Sequence, residues 1–280
     1  MGSSTLVVGF DSAWTARRSG GLVGVLQLAD GAVRELEEPL VADFAEARAQ
    51  IDAWQATHCP DRTLILLDQS TVVANAKGQR PVENLVSGPV SRRRGGVQPS
   101  NTGRVEMFGE AAPLWPFLDA MGGVMDLANP SEGGAVLETY PALILIAMGW
   151  VVPDSRPTGS LPKYNPERRK TFRLADWQFV CAQLQRELTE LGVPGLARWC
   201  ADAGQLTRPR KHDQDRLDAC LCLLPALMLA QGRSCTVVGQ ADSGFLVVPT
   251  GEVLDDELRS RCTKTQRDSA AWVRDFALVS

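Results

Sequence analysis

The chain of 280 residues is poor in the residues that build zinc sites and disulfide frameworks. It has two histidines, and its seven cysteines include no Cys-x-x-Cys pair. Histidines and paired cysteines are the usual ligands of structural zinc, and an odd number of cysteines does not suit a disulfide framework. The composition therefore excludes a zinc finger and favours free thiols in a reducing, cytoplasmic compartment.

The sequence also lacks a long hydrophobic run. Its longest apolar stretch, residues 217–230, has about fourteen residues, whereas a membrane-spanning helix needs roughly 20. Residues 1–5 have neither the basic start nor the apolar core of a signal peptide. With 44% hydrophobic and 22% charged residues and a net charge of −4, the composition is that of a soluble globular protein without a membrane partner.

The first quarter of the chain predicts a mixed sheet. Residues 5–11, 22–28 and 33–39 are strand-like runs joined by short glycine-bearing turns, which indicates an antiparallel meander. Residues 42–57 have the apolar spacing of an amphipathic helix, and residues 63–68 form an apolar strand. This order predicts an α/β fold with helices on both faces of the sheet, the order found in ribonuclease H-like domains.

The rest of the chain predicts one further strand, several helices and a late hairpin. We expect a single domain over residues 1–252, with a large insertion after the fourth strand at about 69–130 and a polar, helical tail over 253–280. Within the insertion, residues 69–102 have no sustained period and several helix breakers, so we expect irregular structure there. The remaining predicted elements are a fifth strand at 135–140, helices at 106–121, 141–150, 170–192 and 213–231, and a hairpin at 235–249.

Acidic residues recur where these predicted elements end. They are Asp11 after the first strand, Asp68 after the fourth, Glu138 in the fifth, and Asp215 and Asp218 near the start of the late helix. Any one of them is also compatible with a turn or cap. Brought together, however, they need a compensating cation, and oxygen ligands without histidine favour Mg²⁺ or Mn²⁺. Two such ions would support phosphodiester cleavage.

The segments around these acids resemble a known family. Gly9-Phe-Asp11-Ser-Ala-Trp14, Leu67-Asp68, Glu138-Thr-Tyr140-Pro141 and Asp215-Arg-Leu-Asp218-Ala219 are similar to the successive motifs of the predicted ribonuclease H-like nucleases catalogued as domain of unknown function 429. The ending Gly244-Phe-Leu-Val-Val-Pro249 is similar to that family's closing hairpin. The resemblance spans roughly residues 5–250. It implies a ribonuclease H-like fold and, by superfamily analogy, metal-dependent phosphodiester chemistry.

Positive charge is concentrated in two segments of this acidic protein. Residues 77–104 and 156–173 each carry a net charge of +5. Such segregation is typical of a face that binds anions, or else of solvated loops without a ligand. The candidate substrate-binding residues are Arg92, Arg93, Arg94, Lys163, Arg168, Arg169 and Lys211 for phosphates, and Tyr164 for stacking on a base.

The sequence thus predicts a metal-dependent nuclease in which Asp11, Asp68, Glu138 and Asp218 are catalytic and, with Asp215, hold the metal ions. Its substrate would be DNA or RNA, and its oligomeric state is open. One alternative is an ATP-dependent phosphotransferase of the actin and sugar-kinase type, for which only Asp242-Ser-Gly244 resembles a phosphate-binding turn. Another is a non-catalytic nucleic-acid-binding or scaffold protein on the same fold.

Overall fold

The computed structural model of the protein describes residues 3–130 and 134–278. The described residues form nine strands and ten helices. The strands are β1 (Thr5–Asp11), β2 (Gly20–Gln27), β3 (Val33–Glu35), β4 (Leu40–Ala42), β5 (Arg62–Leu67), β6 (Val136–Glu138), β7 (Cys235–Gln240), β8 (Gly244–Pro249) and β9 (Val273–Phe276). The helices are α1 (Phe44–His58), α2 (Pro81–Arg92), α3 (Val105–Phe108), α4 (Leu114–Ala120), α5 (Pro141–Ala147), α6 (Leu174–Glu190), α7 (Pro194–Gly204), α8 (Lys211–Ala230), α9 (Glu252–Lys264) and α10 (Ser269–Trp272).

The main sheet is mixed, as the sequence predicts. Its six strands run in the order β3-β2-β1-β5-β6, and β4 also pairs with β2. The pairs of β2 with β1, β3 and β4 are antiparallel, whereas β5 is parallel to both β1 and β6. In the parallel part the register aligns Phe10, Leu67 and Glu138 in one row. The carboxyl ends of β1, β5 and β6 therefore meet at one edge.

Helices cover both faces of this sheet because its strands are apolar on both sides. On one face, the side chains of Leu6, Val8 and Phe10 pack against α1 and α4. On the other face, Val7 and Leu64 belong to the larger core, which includes α8 and the hairpin of β7 and β8. The sequence analysis predicts this hairpin, and β9 extends it to a three-stranded sheet. In the described part of the chain, none of the helices has the length and apolar character needed to cross a bilayer.

Helix α8 lies directly on β1 and β2, and glycines make this approach possible. A methyl group on Gly9 would overlap backbone atoms of Ala219 and Leu223, and one on Gly21 would overlap the backbone of Asp215. The N-terminal half of α8 therefore rests on the strand backbones themselves. This contact carries the acids of α8 to the end of β1.

The structure corrects four sequence expectations. The helix expected over 106–121 is divided into the short helices α3 and α4, which residues 109–113 separate. Residues 81–92, expected to be irregular, form α2, because Val82, Leu85, Val86 and Val90 recur at helical spacing and are buried despite Pro89. Residues 194–204 form α7, which the sequence analysis does not predict. The tail is not wholly helical, since β9 pairs antiparallel with β7 and buries Val273 and Phe276; its last two residues, 279–280, lie outside the described range. All seven cysteines are free, as expected.

The close contact of α8 with β1 predicts that a single methyl group added at Gly9 strongly destabilises the folded protein. We expect Gly9→Ala to lower the free energy of unfolding by about 1–3 kcal/mol or more, because rigid backbone atoms of α8 cannot move aside. Urea denaturation measures the change. Gly96→Ala is the matched control, since nothing lies within 4 Å of its added methyl group, and it should stay within about 0.5 kcal/mol of the wild type. Equal stability of the two variants would contradict the packing described here.

Candidate active site

Two aspartates meet where the parallel strands end. Asp11 is the last residue of β1, and Asp68 directly follows β5. The Asp68 amide donates to the Phe10 carbonyl at 2.9 Å, which continues the parallel ladder by one residue. Side chains two residues apart on a strand point to the same face of the sheet. Gly9 precedes Asp11 by two residues, Leu66 precedes Asp68 by two, and both face α8. The carboxyl groups of Asp11 and Asp68 therefore share that face, and they lie within hydrogen-bonding reach of each other.

The first two turns of α8 complete the cluster. Asp218 is buried at 5% exposure, and its carboxylate accepts hydrogen bonds from the Tyr164 hydroxyl at 2.7 Å and from the Gln214 amide. Asp215 forms an ion pair with Lys211 one turn earlier and lies within hydrogen-bonding reach of Asp11. The structure thus brings together four of the five acids expected from the sequence.

Glu138 lines the same cavity as the four aspartates, but it already has a buried cation as its partner. It pairs in register with Leu67, whereas the residue level with Asp68 is Thr139. Successive strand residues face opposite sides, so Glu138 leaves its strand on the side opposite to Thr139. Its carboxylate nevertheless reaches the cavity, and its charge helps to raise the pKa of Asp68. Both of its carboxylate oxygens accept from the Arg80 guanidinium, at 2.5 and 2.9 Å, and one also accepts from the Thr71 amide at 3.0 Å.

Arg80 is the centre of a buried ionic network that the sequence analysis misses. Its guanidinium is 2% exposed and also donates to Glu83 at 2.8 Å and to the Val72 carbonyl at 3.0 Å. Glu83 in turn accepts from the Ser100 amide. The i, i+3 spacing of Arg80 and Glu83 is a signal for this pair, but the third partner, Glu138, is 58 residues away. The network ties α2 to β6.

Asp11, Asp68 and Asp218 are difficult to ionise together. Burial, followed by the charge of Asp218, raises the pKa of Asp11 and of Asp68 well above the usual 3.8. Burial also raises the pKa of Asp218 to about 6, although Lys211 opposes this shift. The pKa of Lys211 is raised: burial lowers it, but the charges of Asp11, Asp215 and Asp218 outweigh that effect. Lys211 therefore offsets only part of the cost of ionising these aspartates.

The donor chemistry of this cluster fits a hard divalent cation. Asp11, Asp68 and Asp218 present carboxylate oxygens alone, which suit Mg²⁺ or Mn²⁺, and their mutual repulsion would be relieved by positive charge. In residues 3–130 and 134–278, no three His, Cys, Asp or Glu side chains are already arranged to enclose an ion. Glu138 does not fit, because Arg80 engages both of its oxygens.

All five acids expected from the sequence, Asp11, Asp68, Glu138, Asp215 and Asp218, line one cavity of about 730 Å³. Among the basic residues expected to bind substrate, Arg94, Lys163, Arg168 and Lys211 line this cavity. Arg93 does not, because its guanidinium is buried in an ion pair with Glu257 at 2.7 Å, and Arg92 reaches the same carboxylate at 3.6 Å. Arg169 is exposed and lies outside the lining.

Two features of the cavity differ from the sequence expectation. Tyr164 lines the cavity, but its hydroxyl donates to Asp218 and its ring packs against the larger core, so its contacts here are with that carboxylate and the core. Conversely, Trp14, Arg17 and Arg18 of the loop between β1 and β2 line the cavity. These three follow Asp11 closely in the chain, which is the sequence signal that could have identified them.

Comparison with known proteins places the chain among proteins without an assigned activity. A family described as "Protein of unknown function (DUF429)" matches residues 9–243, a range that includes every acid of the cluster. No curated protein and no solved structure matches the chain.

The buried network predicts that substitutions of two arginines, Arg80 and Arg92, destabilise the protein to very different extents. We expect Arg80→Met to lower the free energy of unfolding by about 3–5 kcal/mol, because Glu83 and Glu138 would remain buried without their cation. Chemical denaturation measures this loss. Arg92→Met is the matched control: its side chain is 50% exposed in its pair with Glu257, so the cost should be below about 1 kcal/mol. A small effect at Arg80 would show that the network does not stabilise the fold.

The raised pKa values predict a pH dependence of stability in metal-free buffer. Asp218, with a pKa of about 6 instead of 3.8, holds a proton in the folded protein that the unfolded chain releases. The stabilisation that this bound proton gives the folded state is complete below about pH 4, and it is lost as the pH rises through about 6. We expect the wild-type Tm, measured in EDTA, to fall between pH 5 and pH 8, by an amount equivalent to roughly 1.4 kcal/mol from Asp218.

The control for this measurement is a second aspartate on α8. Asp218→Asn should flatten the fall, whereas Asp213→Asn should retain it, because Asp213 caps the helix by accepting from the Arg210 amide and lies outside the cavity lining. A wild-type Tm that rises from pH 5 to pH 8 would contradict the repulsion described for the cluster.

Proposed function

The chain belongs to the DUF429 family, and from its acidic pocket we propose that it is a divalent-metal-dependent nuclease on a ribonuclease H-like fold. The observation that carries the proposal is the convergence of Asp11, Asp68 and Asp218, three carboxylates from separate elements, at one cavity with basic residues in its wall. Asp11 and Asp218 are buried there, and Asp68 is half-buried. The strand order supports the fold assignment, since three antiparallel strands are followed by parallel ones.

Asp11, Asp68 and Asp218 would hold Mg²⁺ or Mn²⁺, with Asp215 as a further oxygen donor beside Asp11. When bound, the ion would supply a Lewis acid that makes a water molecule nucleophilic and stabilises charge on the leaving oxygen. We leave Glu138 out of this ligand set because Arg80 engages both of its oxygens.

Other residues of the chain would prepare the site. Tyr164 and Gln214 hold the two oxygens of Asp218 by hydrogen bonds, which fixes the orientation of its carboxylate. Lys211 offsets part of the negative charge of the aspartates and lines the cavity, where a phosphate would meet its ammonium group. Arg94, Lys163 and Arg168, also in the cavity wall, would contact the phosphates of the substrate.

The phosphotransferase hypothesis has less support from this geometry. Its only candidate phosphate turn, Asp242-Ser243-Gly244, connects β7 and β8, and Asp242 is exposed. None of these three described residues lines the acidic cavity. A phosphate bound there would therefore lie outside the pocket that contains the aspartates.

The nuclease proposal predicts that two aspartates are indispensable. We expect Asp11→Asn and Asp218→Asn to lose at least about 100-fold of the Mn²⁺-dependent cleavage of a mixed set of DNA and RNA oligonucleotides, because each removes a charged ligand. Millimolar Mn²⁺ should raise the wild-type Tm by several degrees, since an ion that binds only the folded state stabilises it. The variants should lose this increase.

Asp213→Asn is the matched control, because it changes an aspartate on the same helix outside the cavity lining. It should retain both cleavage and the Tm increase. Cleavage that survives in Asp11→Asn would refute the assignment. A wild-type protein that neither cleaves nor gains stability from Mn²⁺ would favour the non-catalytic binding or scaffold hypothesis.

A further inference from the structure

The backbone turns sharply at Trp14, three residues after Asp11. The Thr15 amide donates to the Ala13 carbonyl at 2.7 Å, which closes a three-residue turn around Trp14. Trp14 itself has φ of +59°, a left-handed conformation that a bulky side chain rarely adopts. Such a conformation costs on the order of 1–3 kcal/mol and is found preferentially where a side chain must be presented to a ligand.

The contacts around this turn hold the tryptophan at the cavity. The Ser12 hydroxyl donates to the Gln69 side chain at 2.5 Å, which ties the start of the turn to the segment after β5. The indole lies against Phe108 in an edge-to-face arrangement, with 6.0 Å between ring centroids. The ring is only partly buried and lines the cavity whose floor contains Asp11 and Asp68.

The same loop supplies two cations. Arg17 and Arg18 are exposed and line the same cavity. Aromatic side chains interleaved with basic ones are typical of surfaces that bind single-stranded nucleic acid, because bases stack on the rings while the cations follow the phosphates. The loop between β1 and β2 has this composition beside the proposed metal site.

The burial of the acids limits the size of the substrate group that can contact them. Asp11 and Asp218 are 6% and 5% exposed, on the floor of a cavity of about 730 Å³. This volume lies in the range of pockets for single small ligands, roughly 300–1,000 Å³. A space of this size would hold the end of a strand or a nucleotide turned out of a helix.

We propose that Trp14 stacks on an unpaired nucleobase of the substrate, so that the pocket selects single-stranded nucleic acid. This inference rests on the proposed nuclease function and adds the form of its substrate. Trp14 would have the base-stacking role that the sequence suggested for Tyr164, whose hydroxyl donates to Asp218. Arg17 and Arg18 would contact the phosphates on either side of the stacked base.

The test measures binding separately from cleavage. A fluorescein-labelled 12-nucleotide single strand, DNA or RNA, is titrated in EDTA and its anisotropy recorded. A strand of the same length built of abasic nucleotides and a duplex of the same sequence are titrated in parallel. We expect Trp14→Ala to weaken binding of the normal single strand by about 5- to 150-fold, and to leave the weaker binding of the abasic strand unchanged because its phosphates remain.

Two further variants separate stacking from a structural role. Trp14→Phe keeps an aromatic ring and should recover most of the affinity. Trp272→Ala removes a partly buried tryptophan that lies over Arg267 outside the cavity lining, and it should bind like the wild type. Thermal melting of each variant confirms folding. If Trp14→Ala does not fold, Trp14→Leu replaces it, because leucine keeps an apolar side chain against Phe108 but has no aromatic face; it should lose binding of the normal strand and retain that of the abasic strand.

The outcomes distinguish this inference from the proposed function. Equal binding of single strand and duplex, or equal binding of the normal strand by the wild type and Trp14→Ala, would overturn the role of Trp14, even if Mn²⁺-dependent cleavage is observed. Base-dependent binding that requires Trp14 would support it, even if no Mn²⁺-dependent cleavage occurs. In that second case the nuclease proposal alone would fall.

Discussion

The direct contact of α8 with β1 and β2 is the constraint on which the site depends. Gly9 and Gly21 leave no side chain between the strand backbones and the helix, so the carboxylates of α8 lie level with the end of β1. The same contact buries these carboxylates, because the apolar length of α8 extends under the sheet with almost every residue covered. Packing that stabilises the fold therefore also produces the charge repulsion at Asp11, Asp68 and Asp218.

Two groups of acids line the same cavity, and they differ in the partners that offset their charge. Glu83 and Glu138 are satisfied by the Arg80 guanidinium and by backbone amides, in an arrangement that connects α2 to β6. Asp11, Asp68 and Asp218 have only Lys211 and a few polar hydrogen bonds. A protein gains no stability by burying like charges without partners. This difference is why we propose a ligand for Asp11, Asp68 and Asp218 and a structural role for Glu83 and Glu138.

The wall of the cavity is assembled from parts of the chain that are distant in sequence. The loop after β1 contributes Trp14 and two arginines, the connection after α2 contributes Arg94, and the loop before α6 contributes Lys163 and Arg168. Basic clusters in the sequence do not reveal which members face the cavity. Arg93 and Arg94 are adjacent, yet Arg93 is buried against Glu257, whereas Arg94 lies at the cavity with Asp154 as its partner.

The sequence alone determined the order of the sheet and most of the acidic site, because apolar strands and the residues that end them are local features. Hydrophobic period and turn residues predict β1, β2, β5 and the late hairpin. Asp11 and Asp68 follow from where β1 and β5 end, and Asp218 follows from its place near the start of the apolar late helix. Only the tertiary structure decided the position of Glu138, since a register of one residue between β5 and β6 turns it toward Arg80. The partners of Arg80, Arg93 and Tyr164 were likewise decided by long-range packing, which no local pattern encodes.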